Sequence, residues 1–442
     1  MSENYLSELM LGDVAHIIDP HPSHRAPPEV REGVPFAGIG DISEAGELLP
    51  GKGRVVSKGV IYEHSLRYKI SSNTVGFGRV ASIGKVIDFR RNEENLAISP
   101  TMAIVEPFDI DKDFLIAALQ GSLVRGKIDQ WLTGSTRSSL GIELLREVPI
   151  PSFDKEAQKK IGAIYRSIVS TIEKTEALIA KYQQIKAGLM LDFFTRGIGR
   201  DGKLRPPREQ APELYQETPA GWIPKEWGLA RLEQLLAPVA NNLRSGPFGS
   251  ALLKSELVED GIPFLGIDNI HIELFVDNFR RFVSGKKFLE LNKYAVRKKD
   301  VIITIMGTVG RSAVVPEHID RALSSKHLWT MTFDQECIVP ELVCWQLNYA
   351  PWVKSWFRRE TQGGIMDAIQ SRTLKTLTLP VPPLTEQLEI AKRYTALSDR
   401  IGLEEQTLEK LKKQKSGLMH DLLTGDVPVY IDTEEGRAVE TA

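Results

Sequence analysis

Hydrophobic residues recur with alternating spacings of four and three in two separate segments of the chain. The first segment lies within residues 154–198 and the second within residues 384–425. This spacing predicts two long amphipathic helices, each with a coiled-coil seam. The predicted seam residues are Ile161, Tyr165, Ile168, Ile172, Ile179, Tyr182 and Leu189 in the first helix, and Ile390, Tyr394, Leu397, Ile401, Leu408, Leu411 and Leu418 in the second.

Polar residues interrupt both seams at the same two places. Thr175 and Lys186 interrupt the first seam, and Glu404 and Lys415 interrupt the second. Each interruption lies 229 positions from its counterpart, as do the seam residues themselves. Because the two helices belong to one chain and share one pattern, we expect them to pair with each other as an antiparallel coiled coil.

The segments between the helices repeat as well. Residues 32–42 match residues 260–270 at an offset of 228, and residues 83–85 match residues 309–311 at an offset of 226. Each globular part mixes short alternating strands with a few helices, which predicts the α+β class. The chain is therefore expected to be a pseudo-twofold internal repeat, in which a globular domain is followed by a long helix, twice. The expected boundaries are a first domain over 1–153, a helix over 154–198, a linker over 199–217, a second domain over 218–383, a helix over 384–425 and a tail over 426–442.

The composition is that of a soluble protein without a membrane anchor. Hydrophobic residues make up 42% of the 442 positions and charged residues 26%, and no apolar run reaches the roughly 20 residues of a membrane helix. The first residues lack the basic flank and apolar run of a signal peptide. Cys337 and Cys344 are too few for a disulfide framework. We therefore expect a cytoplasmic protein.

The formal net charge of −2 conceals two basic segments at equivalent places in the repeat. Residues 280–299 hold eight basic residues and one acid, and residues 52–71 hold five basic residues and one acid. Aromatic residues are interleaved in both segments. A single charged run is usually only a solvated face, but its duplication favours a surface that contacts the phosphates of double-stranded DNA.

Charge and loop position single out candidates for contacts with DNA. They are Arg79, Lys85 and Arg137 in the first half, and Arg297, Lys298, Lys299, Arg311, Lys326, Arg358, Arg359 and Arg372 in the second.

One loop has the sequence of a methyltransferase cofactor loop. Residues 36–41 fit the Phe-x-Gly-x-Gly pattern that holds S-adenosylmethionine in many methyltransferases. Catalysis would also need a cysteine after a proline or an Asn/Asp-Pro-Pro-aromatic motif, and the chain has neither. The matching residues 264–268 of the second half lack the second glycine. We therefore interpret this loop as a structural turn after a strand.

Two further patterns resemble ligand sites less closely. Residues 46–53 approximate a phosphate-binding loop, but Gly53 stands where a hydroxyl group must reach magnesium. His21 and His24 have metal-ligand character, but no cysteine or further histidine lies near them. We expect no catalytic residue, cofactor or metal in this chain.

Motifs around the second domain resemble a known family. Residues 381–387 (Val-Pro-Pro-Leu-Thr-Glu-Gln) lead into the second helix, and residues 415–425 (Lys-Ser-Gly-Leu-Met-His-Asp-Leu-Leu-Thr-Gly) end it. Residues 218–227 (Thr-Pro-Ala-Gly-Trp-Ile-Pro-Lys-Glu-Trp) begin the second domain. This combination resembles the specificity subunit of type I restriction-modification systems over essentially the whole chain. The first half departs from the pattern, because it has Ala157 before Gln158 and no Gly-Trp motif.

The resemblance implies a non-catalytic subunit of a complex for DNA methylation and phage defence. Its two globular domains would be target recognition domains, each binding one half of a split, asymmetric DNA sequence, while the helices fix the gap. Its partners would be two methyltransferase subunits, which bind S-adenosylmethionine and make N6-methyladenine, and two restriction subunits, which use ATP and Mg. Two alternatives stay open: a self-sufficient methyltransferase that uses residues 36–41, and a coiled-coil scaffold without a role on DNA.

Overall fold

The chain forms two compact units. The computed structural model describes residues 7–21, 23, 25–133, 139–307, 309–361 and 369–429. Unit 1 consists of residues 1–178 and 404–442, and unit 2 consists of residues 179–403. Both units mix helices with strands, as the sequence predicts.

Unit 1 is built on two sheets. Its strands are β1 (Glu8–Met10), β2 (Ala15–Ile18), β3 (Glu29–Ala37), β4 (Arg54–Val56), β5 (Val75–Gly78), β6 (Val86–Asp88), β7 (Ala97–Ile98), β8 (Met102–Pro107) and β9 (Pro149–Pro151). Its helices are α1 (Leu11–Val14), α2 (Lys58–Ser65), α3 (Lys112–Gln120), α4 (Ser122–Thr133), α5 (Ile142–Arg146) and the first part of α6 (Lys155–Thr195). An antiparallel sheet has the order β2-β8-β5-β6. A second sheet pairs β3 with β4 antiparallel and with β7 parallel, and β1 pairs with β9.

Unit 2 has sheets of corresponding strand order. Its strands are β10 (Tyr215–Thr218), β11 (Gly221–Pro224), β12 (Gly228–Arg231), β13 (Leu243–Ser245), β14 (Leu257–Val258), β15 (Ile262–Leu265), β16 (Phe282–Val283), β17 (Val301–Thr304), β18 (Ser312–Val314), β19 (Leu323–Ser324), β20 (Leu328–Met331) and β21 (Thr378–Val381). Its α-helices, besides the end of α6, are α7 (Leu232–Leu235), α8 (Gly285–Glu290), α9 (Pro340–Tyr349), α10 (Pro351–Thr361), α11 (Ser371–Lys375) and the first part of α12 (Leu384–Thr424). Short 3-10 helices cover Pro212–Leu214, Gly249–Ala251, Lys254–Glu256, Ile267–Asn269 and Asn292–Tyr294. The sheets have the orders β13-β20-β17-β18 and β14-β16-β15-β19, beside the pairs β12-β21 and β10-β11.

The two long helices begin and end at the local signals in the sequence. The Asp154 carboxylate accepts a hydrogen bond from the Ala157 backbone N at 2.8 Å, which caps the start of α6. Residues 382 and 383 are both prolines and directly precede α12. Gly197 and Gly425, just beyond the two helices, have φ angles of +61° and +76°, a left-handed conformation that ends helices.

A buried glutamine attaches each long helix to its globular part. In unit 1, Gln158 Oε1 accepts from the Asp111 backbone N at 3.0 Å, ahead of α3. In unit 2, Gln387 Oε1 accepts from the Val339 backbone N at 2.8 Å, ahead of α9. Both side-chain amides also donate to backbone carbonyls, Gln158 to that of Phe153 and Gln387 to that of residue 382. The glutamine at the start of each long helix therefore accepts from a backbone N–H at the N-terminus of a neighbouring helix. Burial would otherwise leave that N–H without a hydrogen-bond partner.

The predicted seam residues differ in burial. Ile161, Tyr165, Ile172, Ile179, Ile390, Tyr394 and Ile401 are buried, and Ile168, Tyr182, Leu189, Leu397, Leu408 and Leu411 are half-buried. In unit 1, Tyr165 of α6 shares a core with Met419 and Leu422 of α12. In unit 2, Met190 of α6 shares a core with Tyr394 of α12.

The prediction for Leu418 is wrong. Leu418 is 36% exposed, and Met419 beside it is buried. An α-helix has 3.6 residues per turn, so its apolar stripe drifts relative to a strict heptad. The next buried residue after Lys415 is therefore Met419, four positions later, instead of Leu418, three positions later. The same shift makes Met190 more buried than Leu189 in α6.

A buried carboxylate attaches β6 of unit 1 to α6. Asp88 forms ion pairs with Arg166 of α6 at 2.7 Å, with Lys112 of α3 at 2.6 Å and with Arg90 at 2.7 Å. Although burial opposes ionisation, hydrogen bonds to Arg166, Lys112 and Arg90 prevail and lower the pKa of Asp88 to about 2. Asp88 therefore stays ionised and joins a strand and two helices.

The residues after α6 bind the start of α12 through a buried ion pair in unit 2. The Arg205 guanidinium contacts both carboxylate oxygens of Glu386, at 2.6 and 2.9 Å. The Ile198 backbone N and the Trp227 indole N also donate to Glu386, at 2.7 and 3.2 Å. The predicted linker thus includes a buried arginine. Unit 1 has Ala157 at the place of Glu386, which agrees with its lack of a Gly-Trp motif.

A directional chain of hydrogen bonds crosses unit 1. His21 Nε2 lies 3.1 Å from the Arg25 carbonyl, which can only accept, so a His21 ring with a single proton donates it there and accepts at Nδ1 from His64 Nε2, 3.1 Å away. His64 Nδ1 then accepts from the Tyr68 hydroxyl at 2.9 Å, and that hydroxyl accepts from the Ile98 backbone N at 3.2 Å. His64 is neutral in this chain, because burial lowers its pKa to about 4. His24, the other half of the possible metal pair, lies outside the described residues.

We expect acid to weaken unit 1 through His64. Its pKa rises from about 4 in the folded chain to 6.5 on unfolding, so protons favour the unfolded state within this window. The stability that the neutral histidine contributes is full above pH 6.5 and falls by about 1.4 kcal/mol per pH unit below it. Urea denaturation of the wild type should lose about 2 kcal/mol more between pH 6.5 and pH 5 than that of a His64→Asn variant. Equal losses would contradict this assignment.

We expect the Glu386→Gln substitution to destabilise unit 2 strongly, because it removes the buried charge partner of Arg205 and leaves it with the more exposed Glu226, 2.7 Å away. The free energy of unfolding should fall by about 3 kcal/mol, measured by urea denaturation. Arg200 provides the matched control, since its exposed side chain lies 3.5 Å from Glu226. Arg200→Gln should change the free energy by less than about 0.5 kcal/mol. Similar effects of the two substitutions would show that the Arg205 pair does not stabilise the unit.

Candidate nucleic-acid interface

Each basic segment contains a short helix on the surface of its unit. Helix α2 follows Ser57, and helix α8 follows Ser284, which lies 227 positions later. The Ser284 hydroxyl accepts a hydrogen bond from the Lys287 backbone N at 3.2 Å and caps α8. We call α2 and α8 the surface helices.

Large apolar side chains of the surface helices are exposed. Tyr62 of α2 is 69% exposed, and Leu66, the residue that ends this helix, is 73% exposed. Leu289 of α8 is 74% exposed and lies 227 positions from Tyr62, so the two occupy equivalent places. A large exposed side chain thus recurs at the same place in both units.

Lysines flank these apolar side chains. Lys58 lies one helical turn before Tyr62 in α2. In unit 2, Lys286 lies one turn before Leu289, and Lys293 follows in the next 3-10 helix. All three lysines are exposed, and within the described ranges none of them forms an ion pair. Each surface helix thus combines apolar area with lysines that are available to anionic groups.

Two of the first-half candidates for DNA contact form hydrogen bonds and an ion pair within unit 1. The Arg79 guanidinium pairs with Asp19 at 3.1 Å and donates to the Leu140 carbonyl at 2.9 Å. The Lys85 amine donates to the carbonyls of Ile39 and Ile42 at 3.0 and 2.8 Å. Arg137 lies outside the described residues. The structure therefore gives Arg79 and Lys85 internal partners that the sequence did not indicate.

The Arg297, Lys298 and Lys299 run is likewise engaged with its own unit. Lys298 pairs with Asp320 at 2.9 Å, and Lys299 pairs with Glu341 at 2.6 Å. Arg297 donates to the Ala240 carbonyl at 2.9 Å.

Beneath this run, Asp300 is buried against Arg244 and accepts from the Arg297 backbone N at 2.6 Å and from the Thr332 hydroxyl at 2.6 Å. Burial raises the pKa of Asp300, which these donors oppose. The run is therefore held in place by a buried ion pair.

The remaining candidates of unit 2 lie in loops and at helix ends. Lys326, Arg358, Arg359 and Arg372 are exposed, and Arg311 is half-buried between β17 and β18. Lys326 and Arg281 both act on His327, where burial first and then these two charges lower the pKa.

The loop of residues 36–41 is a turn whose backbone groups are already bonded. The Gly38 backbone N donates to the Asp41 carboxylate at 2.9 Å, and the Ile39 backbone N donates to the Thr101 hydroxyl at 3.0 Å. In unit 2, the Gly266 backbone N donates to the Asn269 side chain at 2.9 Å in the same way. The two turns match in geometry although one glycine differs, which supports the structural interpretation of this loop.

Two other kinds of site are absent from the part of the chain that the structure describes. Within the described residues, no group of three or more histidines, cysteines, aspartates or glutamates has metal-binding geometry. No helix among these same residues is long and apolar enough to cross a membrane.

Sequence reasoning missed several features of the interface and its support. The exposed Tyr62 and Leu289 give no local signal, since exposure depends on the tertiary fold. The pair between Arg205 and Glu386 joins residues 181 positions apart. Lys186 and Lys415 were visible only as interruptions of the seams.

Known proteins similar to this chain are specificity subunits. The family described as the type I restriction modification DNA specificity domain matches residues 249–413. The putative type I restriction enzyme MjaX specificity subunit of Methanocaldococcus jannaschii is 24% identical over 387 residues, 83% of this chain and 81% of that protein. The type I restriction enzyme EcoBI specificity subunit of Escherichia coli is 22% identical over 291 residues, 65% of this chain and 59% of that protein.

Solved structures are similar in fold. The crystal structure of a type I restriction-modification S subunit from M. genitalium has a TM-score of 0.56 at 14% identity, over 96% of this chain and 98% of that chain. A chain from a study of the assembly and conformational transition of the type I R-M system has a TM-score of 0.52 at 15% identity, over 95% of this chain and 98% of that chain. The chain is thus similar in sequence to type I restriction enzyme specificity subunits and similar in fold to solved S subunits.

Proposed function

We propose that this chain is the subunit that selects the DNA sequence in a type I restriction-modification complex. It binds a bipartite, asymmetric site, one half through a recognition domain over residues 1–153 and the other through a recognition domain over residues 218–383. The helical segments 154–198 and 384–425, with the linker 199–217 and the tail 426–442, hold the domains and recruit partners. The complex acts in the cytoplasm.

The observation that carries this proposal is the duplicated surface helix. Both α2 and α8 place an exposed apolar side chain, Tyr62 or Leu289, beside exposed lysines. Lysines attract the phosphate backbone, and the apolar side chain can pack against sugars or the thymine methyl group. Two equivalent surfaces in one chain fit two half-sites. A coiled-coil scaffold without a role on DNA would not need either.

We divide the other candidates for DNA contact according to whether their charged groups already have partners within their own unit. Lys326, Arg311, Arg359 and Arg372, together with Arg358, extend the basic surface of unit 2. Arg79, Lys85, Arg297, Lys298 and Lys299 position loops, because their charges already have internal partners. Phosphate contacts would orient the domain on DNA, while base readout depends on the loops.

We further propose that α6 and α12 pair as an antiparallel coiled coil. In unit 1, the Lys415 amine, late in α12, lies 5.0 Å from the ring of Tyr165, early in α6. In unit 2, the Lys186 amine, late in α6, lies 4.6 Å from the ring of Tyr394, early in α12. Early residues of each helix thus meet late residues of the other, which is the order of an antiparallel pair.

Catalysis belongs to the partners in this proposal. Two methyltransferase subunits would bind S-adenosylmethionine and methylate adenine N6, and two restriction subunits would use ATP and Mg. Adenine must leave the base stack to reach a methyltransferase pocket, so this chain would hold the duplex during that step. The turn at residues 36–41 is not available as a cofactor loop, because its backbone groups bond internally.

Mapping modified bases tests this function directly. The chain is expressed with its cognate methyltransferase subunit in a host that lacks adenine methylation of its own, and the genome is sequenced for N6-methyladenine. We expect one bipartite motif, with two fixed half-sites separated by a gap of unspecified bases and of constant length. Methylation without such a motif, or none despite an assembled complex, would refute the proposal.

Substitutions in a surface helix test the proposed contact with DNA. We expect Lys286→Glu combined with Lys293→Glu to weaken binding of the assembled complex roughly tenfold at physiological salt. The slope of log affinity against log salt should fall by about 2, one for each lost phosphate contact. Fluorescence anisotropy at several salt concentrations measures both values. The control is Lys392→Glu together with Lys410→Glu, which makes the same charge change at exposed positions of α12 and should leave the slope unchanged. Equal slopes for the two double variants would exclude α8 as a DNA contact.

A further inference from the structure

Two lysines lie where apolar residues would be expected in the seams of the long helices. Lys186 of α6 and Lys415 of α12 stand 229 positions apart, and both are half-buried. Removing an ammonium group from water is unfavourable unless it forms an ion pair or a hydrogen bond with a neighbouring group. Each lysine therefore marks a position where one particular arrangement of neighbours is required.

In unit 2, the neighbours of Lys186 come from the other helix and from the globular part. Its amine lies 2.9 Å from Glu273 Oε2 and 4.6 Å from the Tyr394 ring. The Tyr394 hydroxyl donates to the other oxygen of Glu273. Burial, and then the charge of the Glu273 carboxylate, raise the pKa of Tyr349 at the end of α9. One carboxylate thus joins α6, α12 and the recognition domain, and we call Lys186, Glu273, Tyr349 and Tyr394 the unit 2 joint.

Glu273 holds this position in an unfavourable backbone conformation. Its φ angle is +60°, in the left-handed region that residues with a Cβ atom rarely adopt. Its backbone N donates to the Ser312 carbonyl of β18 at 3.0 Å. Such a conformation costs about 1 kcal/mol or more and persists only when surrounding contacts fix it. The turn is therefore shaped to present this carboxylate.

Unit 1 contains the equivalent joint, made of Lys415, Glu44, Gln120 and Tyr165. The last three of these residues lie 229 positions before Glu273, Tyr349 and Tyr394, respectively. The Lys415 amine lies 5.0 Å from the Tyr165 ring and donates to Gln120 Oε1 at 2.8 Å. Burial lowers the pKa of Lys415, and the charge of Glu44, which is exposed, opposes this shift. The lysine comes from α12 here and from α6 in unit 2, so the two joints are reciprocal.

Near the unit 2 joint, the helices contact each other through apolar packing as well as through the joint itself. A cavity of about 290 Å³ lies beside it, lined by Met190, Phe194, Tyr349 and Tyr394 among others. Side chains at a cavity wall lack part of their van der Waals contacts. The polar contacts of the joint therefore contribute to the register of α6 on α12 at this point, as a single polar residue in a coiled-coil seam can specify register.

We propose that Lys186 and Lys415 are positioning residues that fix the register of the helix pair and the attachment of each recognition domain to it. Through both, they set the length of the gap that the complex accepts between the two half-sites. This inference rests on the proposed function and extends it from the recognition domains to the joints. Apolar residues at these places would keep the helices together but would permit more than one register.

The experiment compares Lys186→Met and Lys415→Met with a matched control. Lys412 of α12 pairs with Glu176 of α6 at 2.9 Å, but on the exposed side of the helices, so Lys412→Met removes an ion pair outside the joints. Each variant is assembled with the methyltransferase subunit and given a DNA library that carries the wild-type half-sites at gaps of different length. Sequencing then gives the methylation rate for each gap.

We expect the wild type and Lys412→Met to prefer one gap length. Lys186→Met and Lys415→Met should lower the ratio between that gap and its neighbours by roughly tenfold, with the half-site bases unchanged. Thermal unfolding should show the Met variants at least as stable as the wild type, because an apolar residue replaces a buried charge. If either Met variant fails to fold, Glu273→Gln removes the charge partner of Lys186 and should relax the gap in the same way.

If the Met variants and Glu273→Gln discriminate between gap lengths as well as the wild type does, the inference is wrong. Equal relaxation in Lys412→Met would overturn it too, since any lost interhelical ion pair would then suffice. A wild-type complex that methylates no bipartite motif would instead refute the proposed function, so the two failures are distinguishable.

Discussion

Polar side chains buried against the two long helices determine how the rest of each unit is built. A buried amide or carboxylate must recover the hydrogen bonds that it loses with water. Gln158 and Gln387 recover theirs from the starts of α3 and α9, and Asp88 and Glu386 recover theirs from arginines. These partners exist only when the globular parts pack on the helices. Packing against the long helices therefore determines the structure of the globular part in each unit.

The two units meet this constraint at the same positions, but two of these positions carry different residues. The joint of unit 2 uses a carboxylate and two tyrosines around Lys186, whereas that of unit 1 uses Gln120 as the direct partner of Lys415. Glu386 binds Arg205 in unit 2, and Ala157 replaces it in unit 1. Positions that contact the helices therefore keep their role within each unit, while their chemistry has diverged. Such divergence fits the proposal that the two globular parts bind different half-sites.

Local signals let the sequence predict the helices and the fold class. Helix α6 covers Lys155–Thr195 and α12 covers Leu384–Thr424, close to the predicted segments, because heptad spacing, prolines and glycines all act within a few residues. The interface was harder to predict. Arg79 and Lys298 looked free in sequence, but they pair with Asp19 and Asp320, and Leu418 left the seam because the helix drifts from the heptad. Ion pairs and exposure depend on residues brought together by the tertiary fold, which no local pattern contains.

Each unit is proposed to read its own half of the DNA site, and footprinting tests this division most directly. Hydroxyl-radical cleavage of DNA bound to the complex with the methyltransferase subunit should show whether a change in one surface helix acts on one half alone. Charge reversal in α8 should remove protection from one half-site and leave the other protected. Loss of protection from both halves together, or from neither, would contradict the account.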